Sequence, residues 1–338
     1  MLDQVRETLS IRPQDGSPQA IVGIDIGGTK IAVAAAGING RIIAKAKMPT
    51  EVQKGPNYTI GKMMELVRQV LHESHVWRPL AIGVGCGGPL DPDEGVILSP
   101  PNLPGWDAIP LKQILENEFG TYVYIDNDAN AAALGEFRFG AGADINNMVY
   151  ITVSTGIGGG IIINGQLLQG IRASAGEIGH QTILKDGVRC NCGNRGCLEA
   201  LASGTAIARR AREALSNRRD SLMLKLANGD VNSVTAETVV SAARDRDPLA
   251  LQIWEDTIEY LSIGVANVIT TLAPDMVVVG GGVSDAGDLL YPALREAVNK
   301  RVFLVPMDRV KIAPPKLGSE VGVVGAIAVA LQQLERKG

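Results

Sequence analysis

Ile21-Val22-Gly23-Ile24-Asp25-Ile26-Gly27-Gly28-Thr29-Lys30-Ile31-Ala32-Val33 is a glycine-hinged hairpin, and the chain makes it twice. The second copy runs Val149-Tyr150-Ile151-Thr152-Val153-Ser154-Thr155-Gly156-Ile157-Gly158-Gly159-Gly160-Ile161-Ile162-Ile163. In each, a short run rich in Val and Ile enters a small polar turn and a second apolar run leaves it, which reads as strand–turn–strand. Asn39-Gly40 and Asn164-Gly165 follow, so each copy opens a β-meander. Glycine at such a bend lets backbone N–H groups approach an anion, because no Cβ intervenes. Two bends of this kind, face to face, would clamp a polyphosphate.

The chain around them has 338 residues, enough for about two domains. Its apolar content of 46% supports a large core, and a net charge of −4 lacks the basic footprint of a nucleic-acid binder. The densest basic stretch, Arg209-Arg210-Ala211-Arg212 with Arg218-Arg219, reads as a solvated helix face. No apolar run approaches the roughly 20 residues that span a bilayer. Met1 to Ser10 lacks the apolar centre of a signal peptide, so a cytoplasmic location is the default. Four cysteines in that setting favour metal or chemistry over disulfides.

Residues 11–20 read as a loop, so 1–20 is expected to be an N-terminal arm. A smaller α/β domain is expected from 21–126 plus 320–338, and a larger one from 127–319. Helical spacing covers 58–75, a buried strand Leu80–Cys86, a helix 111–119 and a strand Tyr122–Ile125. Further helices are expected at 129–138, 199–215, 235–244 and 248–272. Met276–Val279 reads as a strand that Gly280-Gly281-Gly282 stops. The last helix, Gly322 to Leu334, carries small residues at Gly322, Ala326 and Ala330 for close packing, and is expected to return to the first domain.

Two phosphate motifs fail on context. Gly83-Val84-Gly85-Cys86-Gly87-Gly88 matches the dinucleotide fingerprint, but Pro89 and Pro92 leave no room for the helix that would face a pyrophosphate. Gly55 to Lys62 is one residue too long for a P-loop, and Met63 stands where Ser or Thr would hold magnesium.

Asp126-Asn127-Asp128-Ala129-Asn130 sits where a strand ends and a helix begins. Capping accounts for one of these polar side chains, and three in a row exceed that need. Phosphoryl transfer to an alcohol requires a base beside the hydroxyl, and Asp128 is the candidate. Asn127 would orient the alcohol without adding charge. Further on, His180, Cys190, Cys192 and Cys197 form a Cys₃His set with C-x-C-x₄-C spacing, suited to a closed structural zinc site. Cys86 lies apart and reads as a small buried hydrophobe. Zinc would fix the His180 tautomer and leave its other ring nitrogen to meet a hydroxyl. Glu177 and Glu199 flank it and would accept vicinal hydroxyls of a sugar; the competing reading is a pair of surface carboxylates in salt bridges.

The Asp25–Lys30 hairpin resembles the first phosphate loop of the actin–hexokinase–Hsp70 superfamily. Ser154–Gly160 resembles the second loop, and Val277–Ser284 the adenosine loop. With Asn102-Leu103-Pro104-Gly105-Trp106, Asn127-Asp128, Glu177–His180, the cysteine knuckle and Glu199, the chain from about Ile21 onward resembles the ROK (repressor, open reading frame, kinase) family, and most of all its ATP-dependent glucokinases. The resemblance implies a two-domain actin/hexokinase/Hsp70-like (ribonuclease H-like) α/β fold with a ligand cleft between domains. It implies ATP and Mg2+ held by Asp25, Gly27, Gly28, Thr29, Lys30, Thr155, Gly156, Gly158, Gly281 and Gly282. It implies a hexose, glucose first, held by Asn102, Asn127, Asp128, Glu177, His180 and Glu199, and a structural Zn2+ on His180, Cys190, Cys192 and Cys197. The implied activity is ATP:hexose 6-phosphotransfer; kinases for N-acetylmannosamine, fructose or mannose share these motifs. A homodimer or homotetramer is also implied. The family's repressors carry a DNA-binding winged helix before the first phosphate loop, and the 20 residues before Ile21 are too few for one. A non-catalytic, sugar-responsive regulator stands as the rival reading.

Overall fold

The computed structural model describes residues 19–337 apart from Arg219, so nearly all of the expected N-terminal arm lies outside the described residues. The chain begins with β1 (Ile21–Ile26), β2 (Lys30–Ala36), β3 (Ile42–Pro49), helix α1 (Pro56–Glu73), β4 (Ala81–Cys86), the short ribbon β5 (Leu90–Asp91) and β6 (Val96–Ile97), α2 (Leu111–Phe119) and β7 (Tyr122–Asn127). It continues with α3 (Asp128–Phe139), β8 (Met148–Val153), β9 (Ile157–Ile163), β10 (Gln166–Leu167), α4 (Leu198–Ala202), α5 (Gly204–Asn217), α6 (Leu222–Leu226), α7 (Ala236–Arg244), α8 (Pro248–Leu272), β11 (Met276–Gly280), α9 (Tyr291–Asn299), β12 (Lys311–Ala313) and α10 (Val321–Lys337).

Each hairpin grows into its own five-stranded sheet, and the two sheets share one plan. The first sheet has the order β3-β2-β1-β4-β7 and the second β10-β9-β8-β11-β12. In each, an antiparallel meander occupies one side and two strands add in parallel on the other. The duplication read from the glycine bends is therefore a duplication of topology. The β9–β10 turn has left-handed backbone at both Asn164 (φ 51°) and Gly165 (φ 74°), the conformation for which Asn-Gly is suited.

Helix starts follow local chemistry. Pro56 opens α1, whose Ile60, Met63, Val67 and Val70 face the core, because proline at a first helical position costs no hydrogen bond. Asp247 caps α8 by accepting from the Ala250 N–H at 2.8 Å. One expectation is corrected: residues 199–215 are not a single helix. Ser203 is extended (φ −68°, ψ 163°) and caps α5 through the Ala206 N–H at 3.2 Å. The Gly204 N–H donates to Ser154 O at 2.7 Å, so docking against the second hairpin breaks the helix.

The basic stretch is corrected too. Arg210 is half-buried, donates to Ile253 O at 3.2 Å and to the Thr257 hydroxyl, and lies over the Tyr260 ring. Arg212 donates twice to Val234 O, at 3.0 and 2.8 Å. Both brace α5 against its neighbours; Arg209 pairs with Glu213 and also donates to Ala200 O at 3.1 Å, so only the exposed Arg218 fits the solvated reading. Arg219 lies outside the described residues.

Helix α10 lies on β1 and β4, and α3 lies on β8 and β9; the two helices pack on each other. Missing side chains make these contacts possible. A Cβ on Gly83 of β4 would sit 1.8 Å from Ala326 O, and one on Gly135 would sit 2.9 Å from Gly325 Cα. Gly83 and Gly85 of the false dinucleotide fingerprint thus seat helices on the sheet, Gly87 and Gly88 face Asn102 and Asn127, and β4 runs on into β5 rather than into a helix.

Candidate active site

The cleft is built where β1, α3, the β8–β9 turn and the start of α10 converge, around a cavity of about 520 Å³. Asp25 comes from the end of β1 and Asp128 from the first turn of α3. Burial first, and the Asp128 charge second, push the Asp25 carboxyl up to about 6 against the pull of Lys30. Asp128 reaches solvent through the cleft mouth, while the protein packed around its base pushes it above the usual carboxylate range. The N–H groups of Asp128 and Ala129 oppose that rise.

Asn127 is the helix cap, with Oδ1 accepting from the Ala129 N–H at 2.8 Å; its amide Nδ2 is left for a ligand. Asp126 is buried and accepts from Asn127 N–H (2.7 Å), Asn130 Nδ2 (2.9 Å) and Gln169 Nε2 (3.1 Å). It braces the turn that presents its two neighbours.

The bends differ. At the first, Gly27 N–H donates to Lys30 O at 3.0 Å, Thr29 and Lys30 are exposed, and Gly28 lies beneath Asn102, where a Cβ would come 2.7 Å from Asn102 O. At the second, Ser154 N–H donates to Gly156 O at 2.8 Å and Thr155 is exposed. Gly158, expected at the phosphates, is instead inside β9, paired with Thr152 and facing Ala129. Gly281 (φ 85°) passes so close to Val153 that a Cβ would meet its carbonyl at 2.5 Å.

Past Gly282 a second cavity of about 400 Å³ opens between α5, α7 and the residues after β11, lined by Thr205, Arg212, Thr235, Glu237, Arg244 and Val283 among others. The two cavities share Ser154, Gly282 and Asp285, so they form one continuous trough. Sequence reading missed Arg212, Thr235, Glu237, Arg244 and Ser319. None belongs to a motif; only the fold brings α5, α7 and the start of α10 to the trough.

On the other side of Asn127 a cavity of about 330 Å³ is lined by Gly88, Leu90, Leu98, Ala173 and Glu177. His180 Nε2 lies 3.8 Å from Glu177 Oε2, while its Nδ1 lies 3.7 Å from Cys190 Sγ. Glu199 Oε2 accepts from the Ile157 N–H at 2.9 Å, and its Oε1 is 4.0 Å from Cys190 Sγ. Neither glutamate has a Lys or Arg partner among the described residues. Asn102 lines none of the three cavities; it bridges the first bend and Gly87.

The ligand atoms of His180, Cys190, Cys192 and Cys197 all lie within 4.8 Å of one another. Cys192 and Cys197 sulfurs are 3.7 Å apart, close to the edge of about 3.8 Å that Zn–S bonds of about 2.3 Å give a tetrahedron. The donor set fits zinc.

Two like-ordered sheets enclosing a cleft define the actin/hexokinase-like class of α/β proteins. Within that class the chain belongs to the ROK family, whose model matches residues 21–333. It is 39% identical over 315 residues to a glucokinase of Halalkalibacterium halodurans, covering 92% of this chain and 95% of that one. It is 34% identical to a putative xylose repressor of a Caldicellulosiruptor species, covering 93% of this chain and 78% of the repressor. The crystal structure of a Streptomyces griseus ROK glucokinase in complex with glucose and AMPPNP superposes with a TM-score of 0.80 at 33% identity, covering 93% of this chain and 99% of that one.

Proposed function

We propose that the protein transfers the γ-phosphoryl group of ATP to the 6-hydroxyl of a hexose, glucose first. The observation that carries this reading is the place of Asp128. It lines the trough while its neighbour Asn127 lines the cavity with Glu177, so a base stands where an alcohol and a polyphosphate would meet. The relative solved with glucose and AMPPNP supports the ligand pair.

The hexose is held by Asn102, the Nδ2 of Asn127, Asp128, Glu177, His180 Nε2 and Glu199. Charged acceptors matched to several hydroxyls penalise a sugar that leaves one unpaired. Asp128 takes the 6-hydroxyl proton as the oxygen attacks the γ-phosphorus and ADP leaves. A carboxylate shifted upward is a better base near neutral pH than an ordinary one. The nucleoside lies in the α5–α7 cavity and the phosphates lie along Thr155, Gly156, Gly281 and Gly282 toward Gly27–Lys30. Asp25 would hold magnesium, which would supply charge neutralisation on the transferring group. Closure of a domain of 21–126 plus 320–338 on one of 127–319 excludes water that would otherwise accept the phosphoryl group. His180, Cys190, Cys192 and Cys197 would hold zinc, which would fix the orientation of the His180 ring.

An ADP-release assay over glucose, mannose, fructose and N-acetylmannosamine tests the reading. Glucose should give the highest kcat/KM; no turnover with any hexose would overturn it in favour of a sugar-responsive regulator. Light scattering should show a dimer or tetramer.

A further inference from the structure

The Glu136 carboxylate is fully buried, takes no part in the chemistry above, and has no Lys or Arg partner among the described residues. A buried charge without a countercharge is costly unless hydrogen bonds replace its water. Here backbone amides do so. Glu136 Oε2 accepts from the Ala141 N–H at 2.8 Å, both oxygens accept from the Lys316 N–H at 3.0 Å, and Oε1 accepts from the Leu317 N–H at 2.8 Å. Gly140 lies against the same carboxylate, where a Cβ would come 2.1 Å from Oε2.

Two of these three amides belong to the segment that leads into α10. Pro315, Gly318 and Ser319 of that segment, with Val321 and Gly322 at the start of α10, wall the Asp25–Asp128 cavity. Gly322 is pressed on Asp25, so that a Cβ there would come 2.2 Å from Oδ2. Glu136 is eight residues along α3 from Asp128, about 12 Å at the helical rise, and touches neither cavity. One rigid helix thus carries the proposed base at its start and, two turns on, the group that holds the opposite wall of the cleft.

We propose that Glu136 is a positioning residue for the polyphosphate site: it fixes residues 315–319 and the first turn of α10 against Asp25, so that the wall is formed before the nucleotide arrives. This rests on the trough being the nucleotide site. Preorganised amides and a fixed helix start spare the ligand the cost of ordering them. The sugar-side residues Asn127, Glu177 and His180 are not tied to this segment, so the effect should be selective.

Calorimetric titration of MgAMPPNP and, separately, of glucose into wild type, Glu136→Gln and Glu136→Ala tests this. Glu136→Gln keeps the shape and one acceptor. It should weaken MgAMPPNP roughly tenfold, the scale of one hydrogen bond to a charged group, and leave glucose affinity unchanged; Glu136→Ala should weaken it further. Gly318→Ala gives a second arm should the buried variants fail to fold. It strains a left-handed position (φ 54°) in open space, so it should disturb the wall, weaken MgAMPPNP and spare glucose binding, with only a small drop in melting temperature. Wild-type nucleotide affinity in Glu136→Gln, or equal losses for nucleotide and sugar, overturns the proposal, as does wild-type nucleotide affinity in Gly318→Ala when the others do not fold. Wild type that binds MgAMPPNP but phosphorylates no hexose removes the kinase reading alone, because the positioning role is read from binding.

Discussion

At the β1–β2 bend, Gly27 and Gly28 are the turn, and the space above Gly28 is filled by Asn102. Across the cleft only Gly156 belongs to the β8–β9 turn; Gly158, Gly159 and Gly160 lie within the strand against Ala129, Ile178 and Ala133. Similar sequences therefore spend their glycines differently: the first lets the bend pass beneath Asn102, and the second mainly lets β9 approach α3 and the 176–178 segment. The neighbouring charges differ as well. Asp25 and Lys30 belong to the first hairpin, whereas the second receives its carboxylate from Glu199, bonded to the Ile157 N–H. A motif repeated in sequence is a repeated topology with two separate duties.

The largest effect is expected at α3, which serves both hairpins. Asp128→Asn should lower kcat by about 10²–10⁴-fold, the usual contribution of a general base, with glucose affinity by calorimetry little changed. Near wild-type turnover at saturating substrates would remove Asp128 as the base.

Metal removal should next separate the hairpins. Chelation of zinc frees the knuckle that places Glu199 and His180, so the melting temperature should fall and sugar affinity weaken. Elemental analysis finding no zinc in freshly purified protein would discard the metal altogether.

Acid acts on the other hairpin. Asp25 sits at about 6 in the folded chain against 3.8 unfolded, so it is protonated below that value and less able to hold magnesium. The kcat/KM for MgATP should then fall by about tenfold per pH unit on the acid side. The sign for stability is opposite. The folded state binds this proton more tightly, so the metal-free protein gains stability from Asp25 as pH falls from about 6 toward 3.8. An acid limb unchanged in Asp25→Asn would show that another group sets it.

The smallest effects come from the glycines themselves. Gly159→Ala should cost about 1–3 kcal/mol as an overpacked contact, visible as a lower melting temperature with kcat/KM retained in the folded protein. Gly28→Ala meets the Asn102 backbone carbonyl, so it should lower the melting temperature as well, but it should also raise KM by displacing Asn102. If Gly159→Ala raised KM as much, or Gly28→Ala left it unchanged, the division of duties would be wrong.

The strands of both meanders, α1, α2, α7 and α8 were legible because their apolar periods and caps are local. The break at Ser203 was not, since its cause is Ser154, about fifty residues earlier in the chain. Asp25, Asn127, Asp128 and the Cys₃His set were legible because each lies in a short motif of fixed spacing. Gly158 was misplaced because a glycine run does not say where the bend falls. Arg212 was read as surface because nothing local reveals that Val234 O awaits it, and Glu136 drew no notice because its partners, Lys316 and Leu317, arrive much later in the sequence.

That late arrival has a bearing on how the chain is made. Ile21, Ala34, Ala36 and Ala81 form one greasy face of the first sheet, sealed by Val323, Ile327, Ala330 and Leu331 of α10. Ribosomes synthesise the cover some 240 residues after the last strand residue it protects, so the nascent polypeptide carries a bare sheet face through most of its translation. Premature termination anywhere before Val321 would leave that face permanently sticky, a ready target for chaperones and proteases.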